Sequence, residues 1–257
     1  MPAELNLPVA TLVAFLLVAT RVGAALIFVP LPGVRQGPAP ARVVLALALT
    51  VLLYPQWPAV AASPSMGQMV GWLLADAAFG ILVGLLVSLV AEAFQVTAQA
   101  VGLEAGFAYS SMVDPQTQAD SGVLLVFAQL GAGLMFFALG LDREVIRVFA
   151  RSLETLPPGA MLAPAPAMEM VLRLGTGMFA TGLRLALPVL ALLALVDIAL
   201  ALIGRLNAQL QLLTLAFPLK MLTAVLMLAW LAPLYPGLLG AYANQVVAGL
   251  AALAGPR

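Results

Sequence analysis

The chain has 257 residues, of which 63% are hydrophobic and only 9% are charged, a composition that argues against a water-soluble monomer. Eleven basic residues balance eleven acidic ones without a long run of either sign, so no nucleic-acid-binding arm is expected and the partners should be lipid and apolar protein. Because Cys and His are absent, the usual disulfide, zinc, haem and redox chemistry is excluded, and we expect no metal and no other cofactor.

The apolar residues fall into long segments. A membrane-spanning helix needs about 20 mostly apolar residues, because each residue rises about 1.5 Å against roughly 30 Å of hydrocarbon. About six segments of spanning length are predicted. The first, Leu7–Pro30, lacks a basic start and is too long for a signal peptide, so we expect it to remain as a membrane segment. The others are Val43–Ala62, Val70–Phe94, Val123–Leu141, Met170–Ile203 and Leu212–Ala232, and a further short apolar helix is predicted at Leu238–Ala254.

Prolines and segment length predict interruptions. Pro55 and Pro58 should end the second helix early. The segment Met170–Ile203 would be about 51 Å long as a helix, too long for one straight crossing, and Pro188 either kinks it or divides it. Basic residues occur in competing loops, so the orientation in the membrane stays open. The predicted loops are Leu31–Arg42, Ser110–Gly122 and Asp142–Pro166.

Charged residues lie within or at the ends of the predicted spans. A charge at a helix centre costs about 2.5–3.5 kcal/mol on insertion, so several of them should face protein or water. The alternative is that those near helix ends extend to the membrane surface. Asp197 and Arg205 are two turns apart on one face, so each should find its partner elsewhere. The set comprises Arg21, Asp76, Glu92, Glu104, Arg184, Asp197, Arg205 and Lys220.

Glycines indicate where helices pack closely. Gly80 and Gly84 form one GxxxG pair, and Gly102 and Gly106 form another. This spacing lets two backbones approach and is a common contact face between membrane helices. We expect helix packing at these sites without naming the partner helix.

The longest polar stretch runs from residue 109 to residue 121. Pro115 after Asp114 favours a turn, and Ser, Gln and Asp side chains can pair with backbone groups. The stretch is either a hydrated hairpin loop or a re-entrant loop that fills a channel, because irregular backbone at membrane depth must be buried in protein or line water.

Motifs for enzymatic chemistry are absent from the sequence. It contains no G-x-x-x-x-G-K-[ST], no G-x-S-x-G and no H-E-x-x-H. Asp76, Asp114 and Asp197 occur in unrelated contexts, which argues against an intramembrane aspartyl pair. We therefore predict a protein without catalytic residues. A small-molecule transporter or permease stays open as an alternative, because Pro-interrupted helices with buried charge are typical of that class.

Four stretches follow one another in the order of a known family. The first runs from Arg21 through the Pro/Gly loop to Pro40-Ala41-Arg42-Val43, and the second from Asp76 through Gly102-Leu103-Glu104-Ala105-Gly106 to Val113-Asp114-Pro115. The third and most specific is Arg151-Ser152-Leu153-Glu154-Thr155-Leu156-Pro157. The fourth comprises Leu187-Pro188-Val189-Leu190, Arg205 and Phe217-Pro218-Leu219-Lys220. Together they resemble the FliR family of type III export gates, called SctT in virulence systems.

The resemblance implies an all-α integral membrane protein of stacked antiparallel helical hairpins with a polar, plug-like loop. It implies one export-gate subunit, with N-terminal helices at 1–108, the loop at 109–122 and C-terminal hairpins at 123–257. It also implies assembly with FliP-type and FliQ-type gate subunits, beside FlhB-type and FlhA-type components, in the inner membrane within a flagellar or injectisome basal body. Unfolded protein substrates would pass through the pore of that assembly.

The resemblance also implies roles for particular residues. The eight charges in the spans would serve assembly or the pore. Arg151, Glu154 and Pro157 would form a family-motif loop. The plug would comprise Gly106, Phe107, Tyr109, Ser110, Ser111, Met112, Val113, Asp114, Pro115 and Ser121.

Overall fold

A computed structural model describes residues 8–30, 39–60, 64–107, 123–160, 164–206 and 212–255. Within these ranges the chain is built from α-helices joined by short turns, and no strand occurs. The predicted all-α class is confirmed. The helices are α1 Val9–Leu26, α2 Ala39–Leu52, α3 Met66–Ala105, α4 Val123–Ala138, α5 Leu141–Thr155, α6 Pro164–Leu206, α7 Leu212–Leu231 and α8 Tyr235–Leu253.

Four described helical segments are long and apolar enough to cross a membrane, and five if α4 and α5 form one broken span. This confirms an integral membrane protein but gives fewer spans than the six predicted. One reason is that the last two predicted segments merge, because a 3-10 turn at Ala232–Leu234 joins α7 directly to α8. The four segments are Val9–Leu26, Met66–Ala105, Pro166–Arg205 and Ala216–Leu253.

Proline acts differently at two places. Helix α2 ends at Leu52, before Pro55 and Pro58, as predicted. There the indole Nε1 of Trp57 donates to the carbonyl oxygen of Thr50 over 3.0 Å, which satisfies one of the last-turn carbonyls that the helix leaves unpaired. By contrast, α6 continues through Pro188 and is not divided.

Two helices are much longer than a membrane is thick. α3 has 40 residues and α6 has 43, so they are about 60 Å and about 65 Å long at 1.5 Å per residue. Hydrocarbon is only about 30 Å thick, so either helix has to extend beyond it or run at a steep tilt. The prediction that the segment around Pro188 exceeds one straight crossing agrees with this length.

The prediction of a loop over Asp142–Pro166 is wrong for most of that range. Leu141–Thr155 is helix α5, and α6 already begins at Pro164. The residues that α5 buries are Leu141, Val145, Val148, Phe149, Ser152 and Leu153, which follow helical spacing. The charged residues that suggested a loop occupy the other side of the helix. Two of them, Asp142 and Glu144, are acidic and lie in the first turn, where the positive end of the helix dipole stabilises a negative charge.

The predicted loop Leu31–Arg42 is also too long. Helix α2 begins at Ala39, so the end of that range is helical, while residues 31–38 lie outside the described ranges. Pro40 fits there because the first turn of a helix does not need its backbone N–H groups.

The chain divides into two compact units. The first comprises Met1–Leu89, Gly140–Leu174 and Ala243–Arg257, so it contains α1, α2, α5 and parts of α3, α6 and α8. Its core is aliphatic and includes one fully buried aromatic ring. Side chains in this core include Leu17, Val22, Val83, Leu86, Leu141, Phe149, Val246 and Leu250.

The second unit comprises Val90–Leu139 and Gly175–Tyr242, and contains α4, α7 and the remaining parts of α3, α6 and α8. Its core side chains include Ala93, Val101, Phe136, Leu185, Val189, Leu193 and Leu239. The predicted division into helices 1–108, loop 109–122 and hairpins 123–257 stays a prediction, because residues 108–122 lie outside the description.

Candidate functional site

A buried ion pair joins α1 and α3 in the first unit. Arg21 donates through Nε to Oδ1 of Asp76 over 2.7 Å, and its Nη2 donates to the same oxygen. Its Nη1 donates to Oγ of Ser152 on α5 over 3.0 Å. The Arg21 and Asp76 side chains are only 6% and 4% exposed, and the guanidinium carbon lies 4.9 Å from the centre of the Phe79 ring. A carboxylate, a hydroxyl and an aromatic face therefore replace the water that this cation loses.

Small residues on α3 let α1 approach this closely. Asp76, Gly80 and Gly84 recur every four residues and so lie on one face of α3. A Cβ at Gly80 would overlap the carbonyl oxygen of Arg21, and a Cβ at Gly84 would overlap that of Ala25. The predicted packing role of this GxxxG pair is therefore confirmed, and the same contact brings Arg21 opposite Asp76.

Two hydroxyl groups of the third motif, those of Ser152 and Thr155, make buried or half-buried hydrogen bonds in the first unit. Neither residue was predicted as a site residue from the sequence. Fully buried Ser152 accepts from Arg21 and donates to the carbonyl oxygen of Phe149 over 2.9 Å. Thr155 donates to the carbonyl oxygen of Ala254, just beyond the end of α8, over 2.6 Å. The signal that could have found Ser152 is its place in the apolar helical pattern of α5, where a polar residue needs a partner.

The three motif residues that were named lie differently from the prediction. Arg151 and Glu154 belong to helix α5 and not to a loop, and only Pro157 follows the helix end. Leu156 leaves the helical conformation, as the residue before a proline commonly does. Gly159 has φ of 79° and packs against Trp72, which leaves no room for a side chain there.

A second ionic cluster occurs in the second unit and joins three of the predicted charges. Nζ of Lys220 on α7 lies 2.8 Å from Oδ2 of Asp197 on α6 and 3.3 Å from Oε1 of Glu104 on α3. The Lys220 side chain is only 14% exposed, whereas the Asp197 and Glu104 side chains are 45% and 44% exposed. The expectation that Asp197 pairs away from Arg205 is confirmed.

The C-terminal end of α3 is fixed beside this cluster. Gly106 has φ of 83°, and the backbone N–H groups of Gly106 and Phe107 donate to the carbonyls of Leu103 and Gly102 over 3.2 Å and 2.9 Å. This is a Schellman motif, in which a left-handed glycine ends the helix. The Phe217 ring packs directly on Gly106. The second and fourth sequence motifs therefore meet here.

The other predicted charges, Glu92, Arg184 and Arg205, are not members of these two ionic clusters. Glu92 accepts a hydrogen bond from Nε2 of Gln95 over 3.1 Å. Arg184 and Arg205 are exposed on α6. Of the predicted plug residues, Gly106 and Phe107 are described. Those outside the described residues are Tyr109, Ser110, Ser111, Met112, Val113, Asp114, Pro115 and Ser121.

The second unit also contains an open apolar pocket of about 440 Å³. Phe94 and Tyr235, whose ring centres are 5.4 Å apart, line it together with Gly131 and Met135. Such a pocket favours hydrocarbon over water or ions. No group of three side chains suited to bind a metal ion occurs in the part of the chain that the structure covers.

Long apolar helices, buried ion pairs and glycine-mediated helix contacts define a polytopic α-helical membrane protein. The sequence matches the family described as bacterial export proteins, family 1, over residues 12–246. Because this match covers most of its length, the chain belongs to that family of bacterial export proteins.

Curated relatives agree with this assignment. The chain is 29% identical over 196 residues to the flagellar biosynthetic protein FliR of Pectobacterium carotovorum subsp. carotovorum, which covers 76% of this chain and 75% of the relative. It is 27% identical over 215 residues to FliR of Escherichia coli (strain K12), and this alignment covers 83% of this chain and 82% of the relative. With FliR of Bacillus subtilis (strain 168) the identity is 26% over 221 residues, covering 84% of each. The predicted membership of the FliR family is confirmed.

Proposed function

We propose that this chain is a structural, pore-forming subunit of the flagellar type III export gate, through which unfolded proteins cross the bacterial inner membrane. Its neighbours in the basal body would be FliP-type and FliQ-type gate subunits, with FlhB-type and FlhA-type components alongside. The family match supports this proposal, and the name of the relatives favours the flagellar system over the injectisome. In this role the chain supplies shape and contacts and carries out no catalysis.

One observation carries the proposal: α6 is apolar but remains largely uncovered by its own chain. Only 17% of its spanning window is buried, against 56% for α3. Lipid would solvate the apolar side chains, but the same helix exposes Arg184 and leaves Asp197 nearly half exposed. A charge facing hydrocarbon costs about 2.5–3.5 kcal/mol. Protein neighbours or an aqueous pore remove this cost, and a multi-subunit gate provides both.

Co-purification tests the assembly. The tagged chain, expressed with FliP-type and FliQ-type subunits and extracted in mild detergent, should retain both of them. A chain that purified with neither would refute the proposal. A chain that instead bound a small solute alone or as a homo-oligomer would support the transporter alternative.

The closing element of the gate is proposed to be the polar stretch that begins at Gly106 and reaches Ser121. Its position supports this role, since it connects the anchored end of α3 to the start of α4 at Val123. Removing Ser110–Ala119 should raise ion conductance through the assembled gate. Glu169→Gln, an exposed change on α6, is the matched control. If conductance and export both stayed at the control level, the stretch would not be a plug.

A further inference from the structure

The ionic cluster of Lys220, Asp197 and Glu104 does not balance its own charge. It brings one ammonium group to two carboxylates, which leaves one excess negative charge. Within the described part of the chain, Lys220 is the only hydrogen-bond partner of either carboxylate, and it engages one oxygen of each. An ionised carboxylate has about four acceptor sites on two oxygens, so the described protein groups occupy only a small part of this capacity.

The two carboxylates of the cluster face the surface, and the ammonium group lies beneath them. The cation is covered at 14% exposure, whereas both anions are about three times more exposed. Lys220 therefore acts as the inner counterion, and the carboxylate oxygens that it does not use lie at the surface. A second cation approaching from outside would meet two carboxylates, an arrangement that suits the planar fork of arginine as well as an ammonium group.

The surface around the cluster is apolar. Leu103 beside Glu104 is 70% exposed and Ile198 beside Asp197 is 57% exposed, and Ala194 and Ala201, which lie three and four residues from Asp197, are exposed on its side of α6. A pore wall that keeps carboxylates hydrated would carry polar neighbours, and a lipid-facing surface would not carry an excess charge. An apolar surface with one unbalanced charge fits the packing face of another membrane helix.

We propose that this surface binds a membrane helix of a neighbouring export-gate subunit, and that an arginine or lysine on that helix pairs with Asp197 and Glu104. The inference rests on the proposed assembly and adds the contact and the chemistry of the partner. Leu103, Ile198 and Ala201 would pack around that ion pair.

The test uses the co-expressed, full-length assembly. Asp197→Lys should reduce the retention of one neighbouring subunit by about tenfold or more, the size expected when an interhelical ion pair becomes a repulsion. Asp197→Asn should cause a smaller loss in the same subunit. Glu169→Lys is the matched control, since it makes the same charge change at an exposed position of the same helix, and it should leave retention unchanged.

A photo-crosslinking residue at Ala201, which is exposed one turn after Asp197 on the same side of α6, identifies the neighbour and the basic residue that faces the cluster. Changing that residue to Glu should restore the retention that Asp197→Lys removes, which a merely misfolded variant would not allow. Crosslinking to a second copy of this chain or only to lipid would overturn the inference. It would also be overturned if the change to Glu on the neighbour failed to restore the retention lost in Asp197→Lys. A wild-type chain that retained no neighbour would instead refute the proposed assembly.

Discussion

Removing the carboxylate of Asp76 is predicted to destabilise the first unit strongly. In Asp76→Leu the guanidinium of Arg21 would keep Ser152 and the Phe79 ring but lose two of its three hydrogen bonds. At 6% exposure, water cannot replace the lost partner. Breaking a buried ion pair by removing one member costs about 3–5 kcal/mol, whereas replacing both members by apolar residues is often neutral or stabilising.

The magnitude follows from this asymmetry. Asp76→Leu alone should lower the free energy of unfolding by about 3–5 kcal/mol, which is at least about a hundredfold in the folding equilibrium. Arg21→Met alone should cost a similar amount, because it leaves the carboxylate unpaired. The double variant should cost less than about 2 kcal/mol, because no buried charge remains. The coupling energy between the two positions should therefore be about 4 kcal/mol or more, since the two single costs together exceed the double cost by at least that amount.

The assay is unfolding of the full-length protein in mixed detergent micelles with increasing dodecyl sulfate, followed by circular dichroism. Arg147→Gln is the control, because Arg147 pairs with Glu144 at the surface of α5, where such a pair contributes about 0–1 kcal/mol. A cost below about 1 kcal/mol for Asp76→Leu would refute the reasoning. The same conclusion would follow if the double variant cost as much as the two single variants together.

Three other predictions use the same unfolding measurement. Ser152→Ala should cost about 1–3 kcal/mol, because it leaves a guanidinium N–H of Arg21 buried without a partner, and a wild-type value would show that water reaches the site. Gly80→Ala should cost about 1–3 kcal/mol, because the new methyl group meets the α1 backbone, whereas Gly175→Ala has open space and should be neutral or slightly stabilising. Equal effects of these two glycine variants would contradict the packing argument. Gly106→Ala should cost about 1–2 kcal/mol, because its φ of 83° is strained for any side chain, and an unchanged stability would show that α3 can end elsewhere.

The sequence predicted the features that depend on local pattern. Apolar length predicted the spanning segments, Pro55 predicted the end of α2, and the Gly80–Gly84 spacing predicted a close helix contact. Helix α5 was not predicted, because its charged residues favour a loop, although its apolar residues recur at helical intervals. In a chain this apolar, even a strongly amphipathic helix looks polar by contrast.

The pairing of charges could not be predicted, because it depends on which helices become neighbours. Arg21 and Asp76 are 55 residues apart, and Lys220 is 116 residues from Glu104. Sequence reasoning found all of these residues as costly intramembrane charges but had no means to choose among possible partners. Ser152 was not predicted because its place in the apolar pattern of α5 is evident only once that segment is recognised as a helix, and its partner Arg21 is 131 residues away.

The neutrality of the Arg21–Asp76 pair has an electrical consequence. A voltage across a membrane acts on net charge, and one elementary charge that crosses the full field exchanges about 2.3 kcal/mol per 100 mV. The ion pair as a whole carries no net charge, because the guanidinium of Arg21 lies directly against the carboxylate of Asp76. The field can therefore turn the pair slightly but exerts no net force on it. A change in membrane potential therefore exerts no net force on this contact between α1 and α3.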